Sequence, residues 1–345
     1  KDPETLWRVT IHENPRAWMA QNNLGGILLR DYGVLDQAID RLQRGEREAA
    51  ASALSGAESD AVRQMAGPIR RLRPEGIEQM IGTLREMQQQ TIEEAIEHFR
   101  ASLEAYPGHY EARANLAMAL DRLGRYDEAL TQWERVIANP RAVAQDYYRM
   151  ARTLQRAGRK EEAVERYRQA LRLYEGHLAT RLHLGELLVE LGRDEEAQEQ
   201  FEYVVKHDPA NTRLQRYLGG RAEVAGDYAK AIRHYEEGLR YAPEGAERMG
   251  LMVRLAKIRA MCPDRRFRDP SQATQLAQRM LDRVGGRDPF VLNILAAGYA
   301  GLGRFNDAIR VAEEALTLAR EAEQPELVAE VQARLDAYRA GRTDP

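Results

Sequence analysis

Between residues 76 and 245 the apolar and polar positions recur with a period of 34 residues. Ala95, Ala129, Ala163, Ala197 and Ala231 stand in register, and four residues beyond each lies an aromatic: Phe99, Trp133, Tyr167, Phe201 and Tyr235. Gly124, Gly158, Gly192 and Gly226 keep the same interval, as do Leu116-Ala117, Met150-Ala151, Leu184-Gly185 and Leu218-Gly219. Apolar residues three and four apart trace one stripe of a helix, and each period holds two such stretches of about a dozen residues. The glycine falls between them, where one helix must end and the chain must reverse. The alanine is small where the partner helix crosses closely, and the aromatic one turn later fills the wider space beside it. Pro209 and Pro243 stop the second helix before the next period begins. A single hairpin leaves one face unburied, so successive hairpins must stack and share a core. The pattern predicts an all-α fold, an α-α superhelix of about seven to eight hairpins with a C-terminal capping helix.

A repeat of this length with this order of leucine, small residue, glycine, alanine, aromatic and proline resembles the tetratricopeptide repeat. Residues 76–245 are read as five regular units of it. Upstream, Asn22-Asn23-Leu24-Gly25 opens a further unit over residues 18–45, with Gly33 as its expected turn and Ala38 in its second helix. Residues 46–75 are an insertion of undefined structure. Residues 246–288 are a degenerate unit whose hairpin loop is lengthened from Met261 to Pro270, and residues 289–320 a good one. Residues 321–345 carry the capping helix and tail, with Leu327, Val328, Val331, Leu335 and Tyr338 on one stripe. Residues 1–17 form half a repeat: Trp7 precedes Pro15 as Tyr235 precedes Pro243. That arrangement suggests a polypeptide continuing upstream, with a natural cap as the alternative.

The string Asp2-Pro3-Glu4-Thr5-Leu6-Trp7-Arg8, with Asn14-Pro15 and Asn22-Asn23-Leu24-Gly25, is similar to a junction in membrane glycosyltransferases. The families concerned are the protein O-mannosyltransferases and transmembrane tetratricopeptide proteins, whose repeat tails lie outside the cytoplasm. The resemblance implies a substrate-presenting tail. None of the family's catalytic residues stands in this chain, so no activity comes with it.

Composition narrows the function classes. Lysine and arginine total 51 against 54 acidic residues, a net charge of −3, which lacks the basic surplus of a dedicated nucleic-acid binder. No apolar run reaches the length of a membrane span, so no direct membrane insertion of this stretch is expected, and the compartment stays open. Cys262 is the sole cysteine, which precludes an intrachain disulfide or a thiolate cage. The seven histidines form no HExxH or Cys-flanked set, and neither a Walker-type loop nor a strand-borne GxGxxG occurs. No catalytic residues, metal or cofactor are therefore expected. Gly219-Gly220 and Gly285-Gly286 read as close helix packing and a helix stop, and the repeated aromatics as core.

What remains is a groove lined by the first helix of each unit, at positions free of the packing signature. The repeat register nominates Asn115, Met118 and Arg122; then Tyr148, Arg149, Arg152 and Arg156; then His183 and Glu186; then Arg213, Arg216 and Tyr217. Arg149, Arg152 and Arg156 fall at i, i+3 and i+7 on one helix face, and with Arg122 would make a basic patch for carboxylates. Their pairing with nearby acids such as Glu161 and Glu162 is the competing expectation. Some tetratricopeptide domains capture a chain-terminal carboxylate with lysines and asparagines at set positions. Here Ala114, Met118, Arg149, Ala179 and His183 stand there, and only the arginine suits that task. Asn23 and Asn115 fit an asparagine ladder of the glycosylating members, but Arg149, His183 and Tyr217 replace its later rungs. The expected partner is a protein or peptide, with self-association through residues 3–13 as a further route.

Overall fold

The computed structural model describes residues 3–285 and 287–344. Asp2 of the junction string and the second glycine of Gly285-Gly286 lie outside the described residues. Among those described, every regular element is helical. The chain divides into two compact units, residues 1–192 and 193–345.

The first unit contains α1 (Pro3–Glu13), α2 (Trp18–Gln43), α3 (Arg47–Ser55), α4 (Asp60–Gln64), α5 (Ala66–Arg70) and α6 (Ile77–Ala105). They are followed by α7 (Tyr110–Arg122), α8 (Tyr126–Ile137), α9 (Ala144–Arg156), α10 (Lys160–Leu173) and α11 (Leu178–Glu190). α7 pairs with α8 and α9 with α10. Each pair turns at a left-handed glycine, Gly124 (φ 73°) or Gly158 (φ 78°). The following residue closes the motif: Arg125 N–H donates to Leu120 O at 3.0 Å and Arg159 N–H to Leu154 O at 2.9 Å. Only glycine enters this conformation without steric cost, which is why it recurs at the period.

The repeated aromatics are core. Phe99 and Tyr167 are fully buried and Trp133 nearly so. Burying a side chain the size of phenylalanine contributes about 1.5–3 kcal/mol. The polar atoms of the other two are satisfied, Trp133 Nε1 donating to Thr153 Oγ1 at 3.2 Å and Tyr167 Oη to Gln155 Oε1 at 3.0 Å.

The hairpin expected over residues 18–45 is not there. Gly33 lies inside α2, which runs unbroken to Gln43 and ends at Gly45 (φ 78°). Ala38 belongs to the same helix rather than to a second one. The true partner of the α2 start is the far half of α6. A Cβ on Gly25 would come within 2.8 Å of the Phe99 ring, and Ser102 Oγ donates to Trp18 O at 2.9 Å. Gly219 meets Tyr235 in the same way. Those two stand 16 residues apart, whereas Gly25 and Phe99 stand 74 apart, so 58 residues are interposed within one repeat. Residues 77–90 are accordingly the first half of α6, not a separate first helix of a unit.

The interposed residues build a small core at the tip of the α2/α6 pair. Leu35, Leu42, Leu54, Ile69 and Leu84 are each at most 1% exposed there. Asp31, fully buried, ties α4 to α2: its carboxylate accepts the backbone N–H groups of Glu58 and Ser59, each at 2.8 Å, and the Ser59 hydroxyl. Arg30 Nη2 grips Glu58 Oε2 at 2.8 Å beside it. Residues 46–75 thus hold α3, α4, α5 and a 3-10 turn at Pro74–Gly76.

The second unit contains α12 (Asp194–His207), α13 (Thr212–Val224), α14 (Tyr228–Tyr241) and α15 (Ala246–Met261). α16 (Pro270–Val284), α17 (Pro289–Gly301), α18 (Phe305–Glu321) and α19 (Pro325–Arg339) complete it. α13 pairs with α14, α15 with α16 across residues 262–269, and α17 with α18, while α19 packs on α18 and α17. Asp344 fastens the chain's end to the 262–269 segment through Arg268 (2.8 Å) and Arg265 (2.9 Å). Gly285 ends α16 with φ 74°, the helix stop expected there.

Candidate functional site

Six of the nominated groove residues converge in the first unit. Met118, Arg122, Tyr148, Arg149, Arg152 and Arg156 line an open cleft of about 620 Å³, formed by α7, α9 and the second half of α2. The α2 wall contributes Tyr32, Gly33, Asp36 and Gln37, none of which the repeat register nominated. Their signal lay in the phase of Leu24, Leu28, Leu35, Ile39 and Leu42, which passes through Gly33 without a break.

The arginines are held in two ways. Arg156 pairs with Asp121, whose second oxygen, Oδ1, is buried and has no hydrogen-bond partner. Arg122 lies over the Tyr32 ring at 5.1 Å and Arg152 over the Tyr148 ring at 5.9 Å. No carboxylate of the described residues forms an ion pair with Arg122, Arg149 or Arg152. Glu162, a candidate competitor, is taken by Arg159 at 2.6 Å. Four guanidinium groups, those of Arg149 and Arg152 half-buried and those of Arg122 and Arg156 exposed, thus face two lining carboxylates, Asp36 and Asp121, a surplus of two positive charges. Burial and the neighbouring Asp36 push the Tyr32 hydroxyl up, so it stays protonated and able to donate.

Other nominated residues fall elsewhere. Asn115 donates to Asn22 Oδ1 at 3.2 Å and lines a smaller cleft of about 210 Å³ with Trp7, Asn23, Arg30 and Glu58. His183 and Glu186 meet each other at 3.2 Å beside the cleft rather than lining it. Burial and Arg152 hold the His183 imidazole below its ordinary value despite Glu186, so it is neutral at pH 7. Arg213, Arg216 and Tyr217 line a depression of about 820 Å³ in the second unit, with Val224, Met249, Val253 and Arg254. There Arg216 is already paired with Glu247 at 3.2 Å and Arg254 with Glu223 at 3.7 Å. Within the first unit, the register brings six of the nominated residues to one cleft and leaves Asn115, His183 and Glu186 outside it.

Among the described residues no group of three or more histidine, cysteine or acidic side chains is placed to hold a metal. No helix among them is long and apolar enough to cross a membrane. Cys262 is buried, and that burial pushes its thiol up, away from the reactive thiolate.

Family profiles described as tetratricopeptide repeat match residues 84–146, 154–219 and 291–326. Over these spans the chain carries tetratricopeptide repeats. No curated protein sequence matches it. Solved structures similar to it include the C-terminal part of a TPR repeat-containing protein from Cytophaga hutchinsonii. That likeness has 19% identity, covers 67% of this chain and 92% of that one, and has a TM-score of 0.47. Pseudomonas aeruginosa pilF shows 21% identity over 60% of this chain and 90% of its own, with a TM-score of 0.42. YrrB, described as a TPR protein with an unusual peptide-binding site, shows 18% identity over 50% and 87%, with a TM-score of 0.39.

Proposed function

We propose that this tetratricopeptide-repeat protein is a non-catalytic interaction scaffold that holds an extended segment of a partner protein in the cleft of its first unit. The observation that carries the reading is the presence of three guanidinium groups, Arg122, Arg149 and Arg152, that line a cleft without an ion-pair partner of their own. Arg149 and Arg152 are half-buried, where charges are ordinarily paired, and a cleft that leaves them open suits an incoming ligand. Extended segments suit such clefts because their backbone and alternate side chains face the walls together.

The test places a photo-reactive amino acid at Gln145, which lines the cleft, and in a second protein at Glu165, which does not. A partner cross-linked from Gln145 but not from Glu165 is then purified and its affinity measured directly. Arg149→Glu with Arg152→Glu should weaken that affinity by about tenfold or more while leaving helicity unchanged. Equal affinity of the double variant would remove the cleft from the proposal.

A further inference from the structure

The spacing and support of the arginines allow a narrower statement, resting on the reading above. We propose that the cleft recognises an internal acidic peptide segment through side-chain carboxylates at i and i+2, which Arg122 and Arg152 bind from adjacent helices.

Three observations converge on this. The first is charge: four arginines against Asp36 and Asp121 leave two positive charges to be met, the charge of two carboxylates. The second is preparation. Arg122 and Arg152 are positioned by tyrosine faces rather than by acids, so their planar donor edges remain open for a carboxylate to accept from in forked geometry. The third is distance. Arg122 sits on α7 and Arg152 on α9; contacting helices lie roughly 8–10 Å apart, and Arg152 is one turn short of the position equivalent to Arg122, so their backbones stand about 10–12 Å apart. Side chains at i and i+2 of an extended segment share one face about 6.6–6.8 Å apart, and the two long arginines span the remainder.

The α2 wall has a specific part in this arrangement. Helices α7, α9, α11 and α13 are 13 residues long, whereas α2 has 26. Only that extra length carries Tyr32 under Arg122 and brings Asp36 into the cleft. Tyr32 is therefore a positioning residue: it sets the arginine without itself meeting the carboxylate. The interposed 58 residues, whose tip core and Asp31 clamp hold α2 unbroken, are what make this cleft unlike the others in the chain.

The experiment measures fluorescence anisotropy of the full chain with a labelled peptide acetylated and amidated at its ends, carrying glutamates at i and i+2 among glycine and serine. Blocking the ends leaves only side-chain carboxylates to be read. The glutamate peptide should bind at least about tenfold more tightly than its glutamine counterpart, with affinity falling as salt rises. Arg122→Gln and Arg152→Gln should each lose about ten- to a hundredfold. Tyr32→Ala should weaken binding although it removes no charge, and Tyr32→Phe should restore it. Arg279→Gln, in the second unit, should change nothing. Equal binding of the glutamate and glutamine peptides, or unchanged affinity in Arg152→Gln, would overturn the proposal. So would equal binding of a peptide whose two glutamates stand at i and i+1. If the cross-linked partner still loses affinity in the Arg149/Arg152 double variant while the acidic peptide fails to bind, this inference falls and the cleft reading stands.

Discussion

Neighbouring glycines in α13 should respond differently to the same substitution. Gly219 is buried against Tyr235, and a Cβ there would stand 2.4 Å from Cε1 and 2.7 Å from Cδ1 of that ring. Carbon atoms rest about 3.5–4.0 Å apart, so the overlap is roughly 1 Å. The ring has little room to retreat: Tyr235 is fully buried, and its hydroxyl donates to Glu223 at 2.9 Å. Overpacking of this kind costs about 1–3 kcal/mol, against a helix-propensity gain of about 0.8–1.0 kcal/mol for replacing glycine by alanine. Gly219→Ala should thus be neutral to destabilising by about 2 kcal/mol. At Gly220 the nearest atom to a Cβ is the Tyr235 hydroxyl at 3.8 Å, so only the propensity gain applies and Gly220→Ala should stabilise. The propensity contribution cancels between the two variants, leaving about 1–3 kcal/mol that belongs to the Tyr235 contact. Hydrogen exchange read on α13 and α14 peptides isolates the local opening, which a global melt of a repeat protein blurs. Exchange there should differ between the variants by roughly 5- to 150-fold. Matching protection in the two variants would show that the aromatic does not pack on the small residue, and the repeat register argued from it would fail.

The interposed hairpin makes a parallel pair of expectations in the first unit. Gly25→Ala should destabilise through its 2.8 Å approach to Phe99, whereas Gly33→Ala should stabilise by about 0.5–1 kcal/mol, since the nearest atom is the terminal Arg122 Nη1 at 3.3 Å, which a shift of a few tenths of an ångström relieves. Urea titration distinguishes this from a turn at Gly33, where alanine would cost stability. Ala163, fully buried in α10, should lose about 1–3 kcal/mol when replaced by leucine, an unchanged urea midpoint being the contrary result. Glu94 holds α1 to α6 through Arg8 at 2.7 Å, and hydrogen bonding to His98, then to Arg8, lowers its carboxyl to about 2 despite the opposing effect of its burial. A depressed folded value stabilises above the unfolded one, so the stability difference between wild type and Glu94→Gln should be complete above pH 4.5. It should vanish as pH falls toward about 2. A difference that persisted below that range, measured by urea titration followed by circular dichroism, would place the ion pair's contribution elsewhere.

The cleft was half legible in advance. Arg122, Arg149, Arg152 and Arg156 are set by helix periodicity, which fixes the face each residue takes once the register is known. Tyr32, Asp36 and Gln37 come from a helix tens of residues away in sequence, and no local pattern says which distant segment will stand opposite. Within the first unit, not every nominated position reached the cleft, for a related reason. Register assigns a face, but Asn115 turned to Asn22 and His183 to Glu186 because the partners available to each differ.

By itself the amino-acid sequence determined the helical class, the period, the buried aromatics and the turn glycines. Each of these follows from interactions within about a dozen residues or between neighbouring repeats, where spacing and residue size are sufficient. Tertiary structure decided the pairing of Gly25 with Phe99 across 74 residues and the unbroken course of α2 through Gly33. A lone glycine inside an apolar stripe is compatible with a turn or a continuous helix. The choice fell to the core of Leu35, Leu42, Leu54 and Ile69, whose burial requires the helix to continue.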